Sequence, residues 1–486
     1  MRLNNKGFAI SSILYMALVL FLILIMALLT MMSSRKTILD KSRKDTYNAL
    51  NNIEEFETNI NSDLDIAKPT MTDNMIPIVY SPSGVILKAD VSDINPDENI
   101  YNPRNWYNYN QKKWANAVLV SRASLSKYQN LEPGENINQD DILAYLVWIP
   151  RYSYAVDSST SAIAINFISA KNDTSNTAHP AFTWNIYKWK LTGTIVKSGS
   201  HVKEYTKNLD GIWVGKFETS GGMNLEKNSN GHTGLKILPG VESISGFPPK
   251  QMFLNARKME LKGNIYGFPQ SGTNNIHEIL SCTTTIYGDN KCEDDTCMTY
   301  CGTIENDSNN IDSHVLKNTE WGAVALLSQS KYGINKALDV NDNQNHCTGG
   351  GCQSISYIVN TNQSTTGNVY GIYDMSGGYW DFTMGYYGRI SFKEDTLNNY
   401  QISNNYYDMY VSSTGIKGDA TNNDNLTHGQ GYFTFPTSGQ IFTRGGNNTD
   451  GVNAGIFTYY GRSYNGDAIT YLPELVGFRI SLAIWE

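Results

Sequence analysis

The stretch Tyr370-Gly-Ile-Tyr-Asp-Met-Ser-Gly-Gly-Tyr-Trp-Asp381 decides how the body of this chain reads. Gly367 stands just ahead of it and Gly371 and Gly377 lie within it, and glycine enters positive φ and tight turns without a Cβ penalty. Tyr373 and Trp380 stand between those turns with large apolar rings, so the segment reads as tight loops around a buried Tyr373/Trp380 pair. An arginine buried among aromatics has to meet a carboxylate, and for Arg479 the candidates are Asp374 and Glu320. Trp321, Asp374, Trp380, Arg444 and Arg479 are therefore read as scaffold.

Outward from this segment, short apolar runs alternate with polar loops. Strands are expected at Ala144-Tyr-Leu-Val-Trp-Ile149, Ile212-Trp-Val-Gly-Lys-Phe217, Gly455-Ile-Phe-Thr-Tyr-Tyr460 and Phe478-Arg-Ile-Ser-Leu-Ala-Ile484. Helices are expected from Pro249 to Leu261, with Met252, Ala256 and Met259 on one face, and from Thr319 to Leu327, with Thr319 at its start. Upstream, the segment from Asn105 to Val120 reads as a hairpin with an Asn-rich turn. Pro69, Pro77, Pro82 and Pro96 mark a linker containing one strand, Met75–Tyr80. The balance is α+β with irregular loops dominating.

The chain has 486 residues, more than one hydrophobic core usually supports, which sets an expectation of roughly two to four domains. Its 31 tyrosines, 9 tryptophans and 41 glycines suit a tightly turned, aromatic-rich fold rather than a disordered chain. A net charge of -8 with 17% charged residues provides no basic field along which phosphates would be neutralised, so no nucleic-acid partner is expected. The six cysteines, Cys282, Cys292, Cys297, Cys301, Cys347 and Cys352, all fall in one Asn/Thr/Gly-rich stretch. They read as up to three disulfides in an oxidising compartment, with a structural zinc and free thiols as the rival readings.

Between Lys6 and Arg35 no residue is charged, and the run ILYMALVLFLILIMALLTMM from Ile13 to Met32 is long enough for a transmembrane helix at about 1.5 Å per residue. From Ser33 to Ile60 there is no Gly or Pro, and Ala49, Ile53, Phe56 and Ile60 recur at helical spacing, which extends the helix as a stalk. Arg35, Lys36, Lys41, Arg43 and Lys44 outnumber Arg2 and Lys6, and on charge alone the large domain would stay inside. The cysteine cluster points to the exterior instead.

The residues ahead of the apolar run, Arg2-Leu-Asn-Asn-Lys6-Gly7-Phe8, resemble the type IV prepilin class. The resemblance implies cleavage between Gly7 and Phe8 by a dedicated peptidase and N-methylation of Phe8. That family usually has a glutamate where this chain has Ser12. The departure fits a minor, tip-located or merely membrane-anchored subunit.

The body's motifs, taken in order, resemble the sulfatase-modifying, formylglycine-generating-enzyme-like family, which has a C-type-lectin-like fold. The motifs are Val147-Trp-Ile-Pro150, Val214-Gly-Lys-Phe-Glu-Thr219, the Pro249 helix, Asn318-Thr-Glu-Trp-Gly-Ala323, the Tyr370–Asp381 stretch, Arg444-Gly-Gly446 and Val476-Gly-Phe-Arg479. The oxidative chemistry of that family needs cysteines shortly after Arg-Gly-Gly. Here Asn-Asn-Thr-Asp follows, and no cysteine lies beyond Cys352, so that activity is not expected.

Other chemistries find no motif. The seven histidines, His179, His201, His232, His277, His314, His346 and His428, stand alone in sequence and read as surface loop residues. There is no phosphate loop, nucleophile elbow or His-Glu-x-x-His pair, and the triplets of calcium-dependent lectins are missing. No catalytic residue, cofactor or metal is expected. What remains is a Tyr/Asn/Gly-rich segment whose composition gives rigid amphipathic contacts with adaptable hydrogen bonding: Asn447, Asn448, Asp450, Asn453, Phe457, Tyr459, Tyr460, Arg462, Tyr464, Asn465 and Asp467. It also resembles the variable region of retroelement-diversified C-type-lectin proteins, bounded by Arg-Gly-Gly and Gly-Phe-Arg.

The expected organisation is a prepilin leader, transmembrane segment and stalk at 1–60, a linker and small β region at 61–143, and a C-type-lectin-like domain at 144–486 with a cysteine-rich insertion at 280–355. The expected role is a bacterial cell-surface or pilus ligand-binding protein or adhesin, held on the extracellular face of the membrane. Its partners would be the prepilin peptidase, other pilin-like subunits, the membrane and a protein or glycan ligand. A diverged enzyme of the formylglycine-generating-like fold and a purely structural minor pilin are the alternatives.

Overall fold

The computed structural model describes residues 64–157, 159–187, 204–224, 232–269, 282–283, 300–301, 310–388, 391–393, 399–401, 406–421, 431–437, 439–463 and 475–485. Residues 63–486 form one compact unit. The leader with Gly7 and Phe8, the apolar run and the stalk lie outside the described residues, and among those described no helix is long and apolar enough to cross a membrane.

The main strands are β1 Met75–Tyr80, β2 Ile86–Lys88, β3 Asn116–Val120, β4 Ile142–Pro150, β5 Gly211–Gly215, β6 Ile311–Val315, β7 Trp380–Tyr387, β8 Asp408–Tyr410, β9 Phe433–Thr434, β10 Gln440–Gly445, β11 Gly455–Ser463, β12 Val476–Phe478 and β13 Ile480–Ile484. The helices that matter for the site are α1 Pro249–Arg257 and α2 Asn318–Ser328. One sheet runs in the order β6-β13-β5-β4-β3-β1-β2, and a second runs β8-β7-β10-β11-β9 with β12 paired to β7. The result is a mixed, sheet-rich domain with long loops.

The centre of the first sheet follows from composition. β4 is a nearly unbroken apolar run, buried along almost its whole length, as a strand flanked on both edges and covered on both faces must be. Its Trp148 sits opposite Trp213 of β5, with ring centroids 5.3 Å apart. Gly211 is required there, because a Cβ would lie 2.4 Å from the carbonyl oxygen of Ile149. β1, β2 and β3 continue the same sheet, so the 61–143 segment supplies three of its strands. In place of the expected hairpin at 105–120, a 3-10 turn at Tyr109–Gln111 closed by an Asn108↔Lys113 bridge precedes β3.

Helix α1 starts with Pro249 in its first turn and buries Met252 and Ala256, and a 3-10 turn at Lys258–Glu260 carries Met259 into the core. Helix α2 is buried on all sides. Its N-cap is Lys317 rather than Thr319: the Glu320 carboxylate accepts from the Lys317 N–H at 2.8 Å, and Thr319 lies inside the first turn. The Thr319 N–H and hydroxyl donate instead to Asp408 of β8, at 2.6 and 3.1 Å.

The Tyr370–Asp381 segment is buried, but its two rings part company. Tyr373 packs on Phe217 and Tyr357, whereas Trp380 turns to Tyr432 and Tyr460. Gly367 and Gly377 have φ of 71° and 83°, as their turns require. The expected 478–484 strand is split at Arg479, whose side chain turns inward: it donates to the carbonyls of Gly215 and Tyr373 at 2.9 Å and pairs with Asp381 at 3.3 Å. Asp381 is thus its ion-pair partner, in place of Asp374 or Glu320. Asp374 accepts from the Gly349 N–H and Asn341, and Glu320 meets His314.

Two histidines expected on the surface are fully buried. His179 accepts the Ala181 N–H on Nδ1, and His314, on β6, lies between Asp312 and Glu320. His232 and His346 are half-buried, and His201, His277 and His428 lie outside the described residues. Cys347 and Cys352 form a disulfide. Cys282 and Cys301 are backbone partners in a two-residue ladder whose side chains, like Cys292 and Cys297, lie outside the description.

Candidate ligand-binding face

Strands present alternate residues to opposite faces, and the second half of β11, from Tyr459 on, does so. Tyr459 points inward onto Phe433, Phe435 and Phe442, and Tyr460 points out. Three strands bring rings together at that outer surface: Trp380 from the start of β7, Tyr432 from just before β9 and Tyr460 from β11. Their centroids form a triangle with sides of 6.1, 6.2 and 6.5 Å. Trp380 is buried as the floor, while Tyr432 and Tyr460 stand 39% and 36% exposed as the walls.

Arg462, two residues beyond Tyr460 on the same side, completes the cluster. Its guanidinium carbon lies 5.2 Å from the Trp380 ring and 5.1 Å from the Tyr460 ring, and its Nε donates to Thr443 Oγ1 at 3.3 Å. Burial lowers its pKa, and Tyr460 and Asp450 act in the opposite direction.

The loop from 446 to 454 borders this cluster and is held by its own polar groups. Gly445 and Gly446 have positive φ, and a Cβ on Gly446 would come within 2.6 Å of Ala454 Cα. The Asn447 N–H donates to Asp450, and the Asn447 side chain accepts from the Thr449 N–H. Asn448 donates to the Gly378 and Asn343 carbonyls. Asn447 and Asn448 are therefore buried braces, and Tyr459 is a core ring rather than a contact residue. Asn453 and Phe457 are half-buried at the margin, Val452 projects 71% exposed, and Tyr464, Asn465 and Asp467 lie outside the described residues.

Beneath the floor lies a second support. The Tyr379 N–H donates to Glu218, His346 stacks on Tyr379 at 4.0 Å, and the Cys347–Cys352 bridge begins at the residue after His346. Glu218 is held well above the usual carboxylate pKa, first by burial and then by Asp381 and Asp374. Asp374 and Asp381 are each pushed up to about 6, mainly by burial and against the pull of Arg479.

The other titratable constellation is closed to solvent. Asp312, His314, Glu320 and Arg257 are buried together, with Trp184 stacked 4.9 Å from the His314 ring. Burial opposes the charge on His314, but Glu320 and Asp312 outweigh it and raise its pKa. The cluster ties α1, β6 and α2 together. Among the described residues, no group of three or more His, Cys, Asp or Glu could hold a metal ion.

Sequence reading placed Tyr460 and Arg462 on the face, took Trp380 as scaffold only, and missed Tyr432 and Thr443. The alternation in Gly431-Tyr-Phe-Thr-Phe435, with Phe433 and Phe435 packed on Tyr459, was the available signal for Tyr432.

No family model matches the chain. No curated protein matches it. Among solved structures it is similar to Treponema denticola variable protein 1 at 12% identity and a TM-score of 0.23, over 62% of this chain and 94% of that one.

Proposed function

We propose that this chain is a bacterial cell-surface ligand-binding protein, displayed by a prepilin-like N-terminal helix, that engages its ligand with the face around Trp380, Tyr432, Tyr460 and Arg462. The observation that carries the reading is the convergence of three rings and a guanidinium, from the start of β7, the residue before β9 and the second half of β11, onto one outer surface of a braced sheet. Rigid aromatic anchors lose little side-chain entropy on binding, and a loop already fixed by Asn447, Asn448 and Asp450 adds little ordering cost. The ordered Trp-Ile-Pro, Arg-Gly-Gly and Gly-Phe-Arg motifs support a C-type-lectin-like body for the domain.

Two experiments test this reading. Arrayed glycans and surface proteins probed with the full-length protein should give hits that a Tyr432→Ala/Tyr460→Ala variant loses while keeping its thermal transition; hits that survive in the variant place binding elsewhere. External protease on intact cells, followed by N-terminal sequencing, should give a mature chain starting at Phe8 with an accessible domain. An intact Met1 with a protected domain would end the surface reading.

A further inference from the structure

The described arginines that are fully buried each meet a strong acceptor. Arg151 pairs with Asp173, Arg257 with Asp312 and Glu260, and Arg479 with Asp381, while Arg444 donates to Asn318 and to the carbonyls of Asp419 and Ala420. Arg462 differs. It is half-buried between two aromatic rings, with Nε bonded to a hydroxyl, and no described carboxylate lies within ion-pair distance. Asp450, which acts on it from further away, is occupied by the Asn447 N–H. A guanidinium that is partly desolvated, fixed in orientation and, among the described residues, without an ion-pair partner is prepared for a carboxylate, whose two oxygens match its fork.

We infer that Arg462 is the anion-recognition group of this face and that the ligand is a carboxylate-bearing sugar, its carboxylate on the guanidinium and its ring against Tyr460 or Tyr432. This rests on the aromatic cluster being the binding face. A sugar fits the scale better than an acidic protein surface. Among the described residues, two tyrosines about a third exposed form a platform matched to one sugar ring. The half-buried guanidinium is also reached more readily by a carboxylate projecting from a single ring than by a flat surface.

The test titrates full-length protein in detergent solution with methyl β-glucuronide and with methyl β-glucoside, which differ only by the carboxylate, and follows the ligands by saturation-transfer NMR. The glucuronide is expected to bind roughly tenfold more tightly, as one charge-assisted contact implies. That preference should shrink with added salt, vanish in Arg462→Gln and survive in part in Arg462→Lys, which keeps the charge without the fork. Tyr460→Ala should weaken both sugars. Equal binding of the two sugars, no binding of either, or a preference that survives Arg462→Gln overturns the inference. If Tyr460→Ala abolishes binding and Arg462→Gln leaves it untouched, the face stands and the anion assignment alone fails. If neither substitution changes binding, the face reading falls as well. A glutamate-rich peptide that binds through Arg462 when the glucuronide does not overturns the sugar class.

Discussion

Buried charge gives single residues sharp consequences. Arg479 holds together a site with three carboxylates, Glu218, Asp374 and Asp381, all raised in pKa by burial. Arg479→Met leaves Asp381 unpaired and is expected to cost about 3–5 kcal/mol in chemical denaturation. Glu218→Gln, which imitates the protonated acid favoured in the fold, should stay within about 1 kcal/mol of the parent near neutral pH. If the two variants lose equal stability, Glu218 is ionised in the fold. His179 gives a pH signature of known sign. Its folded pKa is lowered to about 3, chiefly by burial, from 6.5, so the unfolded chain binds the proton first and stability falls as pH drops below 6.5. At pH 5 the loss is about 2 kcal/mol. Asp374, Asp381 and Asp408, pushed up to about 6, favour the fold over the same range, so the difference between parent and His179→Asn isolates the histidine. The variant should lose less stability than the parent between pH 6.5 and 4, and parallel curves would mean that His179 is not held neutral. The sequence showed that a buried Arg479 needs a carboxylate, but not which one. Asp381 is selected by the parallel register of β7 with β12, which aligns it with Gly477, and register is not a local property.

At the level of elements, the strongly patterned ones were readable because their signal is local. The β4 run, the β5 run and the Pro249 start of α1 identify themselves by apolar length and by proline at a helix start. Short strands such as β2, β8 and β9 were not readable, since a strand of two or three residues exists only through its partner. The start of α2 was misread for a similar reason: the acceptor for Thr319 is Asp408, 89 residues away. The same helix shows local propensity overruled by packing. Alanine in place of a helical glycine normally gains about 1 kcal/mol. At Gly322, however, a Cβ would lie 1.9 Å from the Gly418 carbonyl oxygen and 2.8 Å from the Asp419 carbonyl carbon, both backbone atoms. Gly322→Ala is therefore expected to destabilise by about 2 kcal/mol or more by urea denaturation, as overpacking against an immobile wall does. An unchanged or higher midpoint would mean that α2 and the 418–419 loop stand further apart.

Across the whole molecule, long-range pairing decides what belongs together. The face unites Trp380, Tyr432 and Tyr460, and only Tyr460 falls in the segment whose composition drew attention to it. The 61–143 segment read as a linker because prolines punctuate it, yet β1, β2 and β3 complete the sheet beside β4. Its ties reach far along the chain. Trp114 donates to the Tyr332 carbonyl, Asn116 donates to the Tyr370 carbonyl, and Asn116 accepts from the buried Nζ of Lys216 at 2.7 Å. Lys216 Nζ also lies over the rings of Tyr80, Tyr357 and Tyr373, so β1 itself forms part of the cage around that buried amino group, whose pKa burial lowers well below the ordinary lysine value. Removing 64–143 would strip Tyr80 and Asn116 from Lys216 and leave β4 with a long, apolar open edge. A chain beginning at residue 144 is thus expected to aggregate or to lack a cooperative thermal transition. One beginning at residue 64 should remain soluble and melt in a single step by circular dichroism. A well-folded 144–486 fragment would show that the first three strands are an addition to the domain rather than part of its core, and the cage around Lys216 would then contribute little to holding the sheet together.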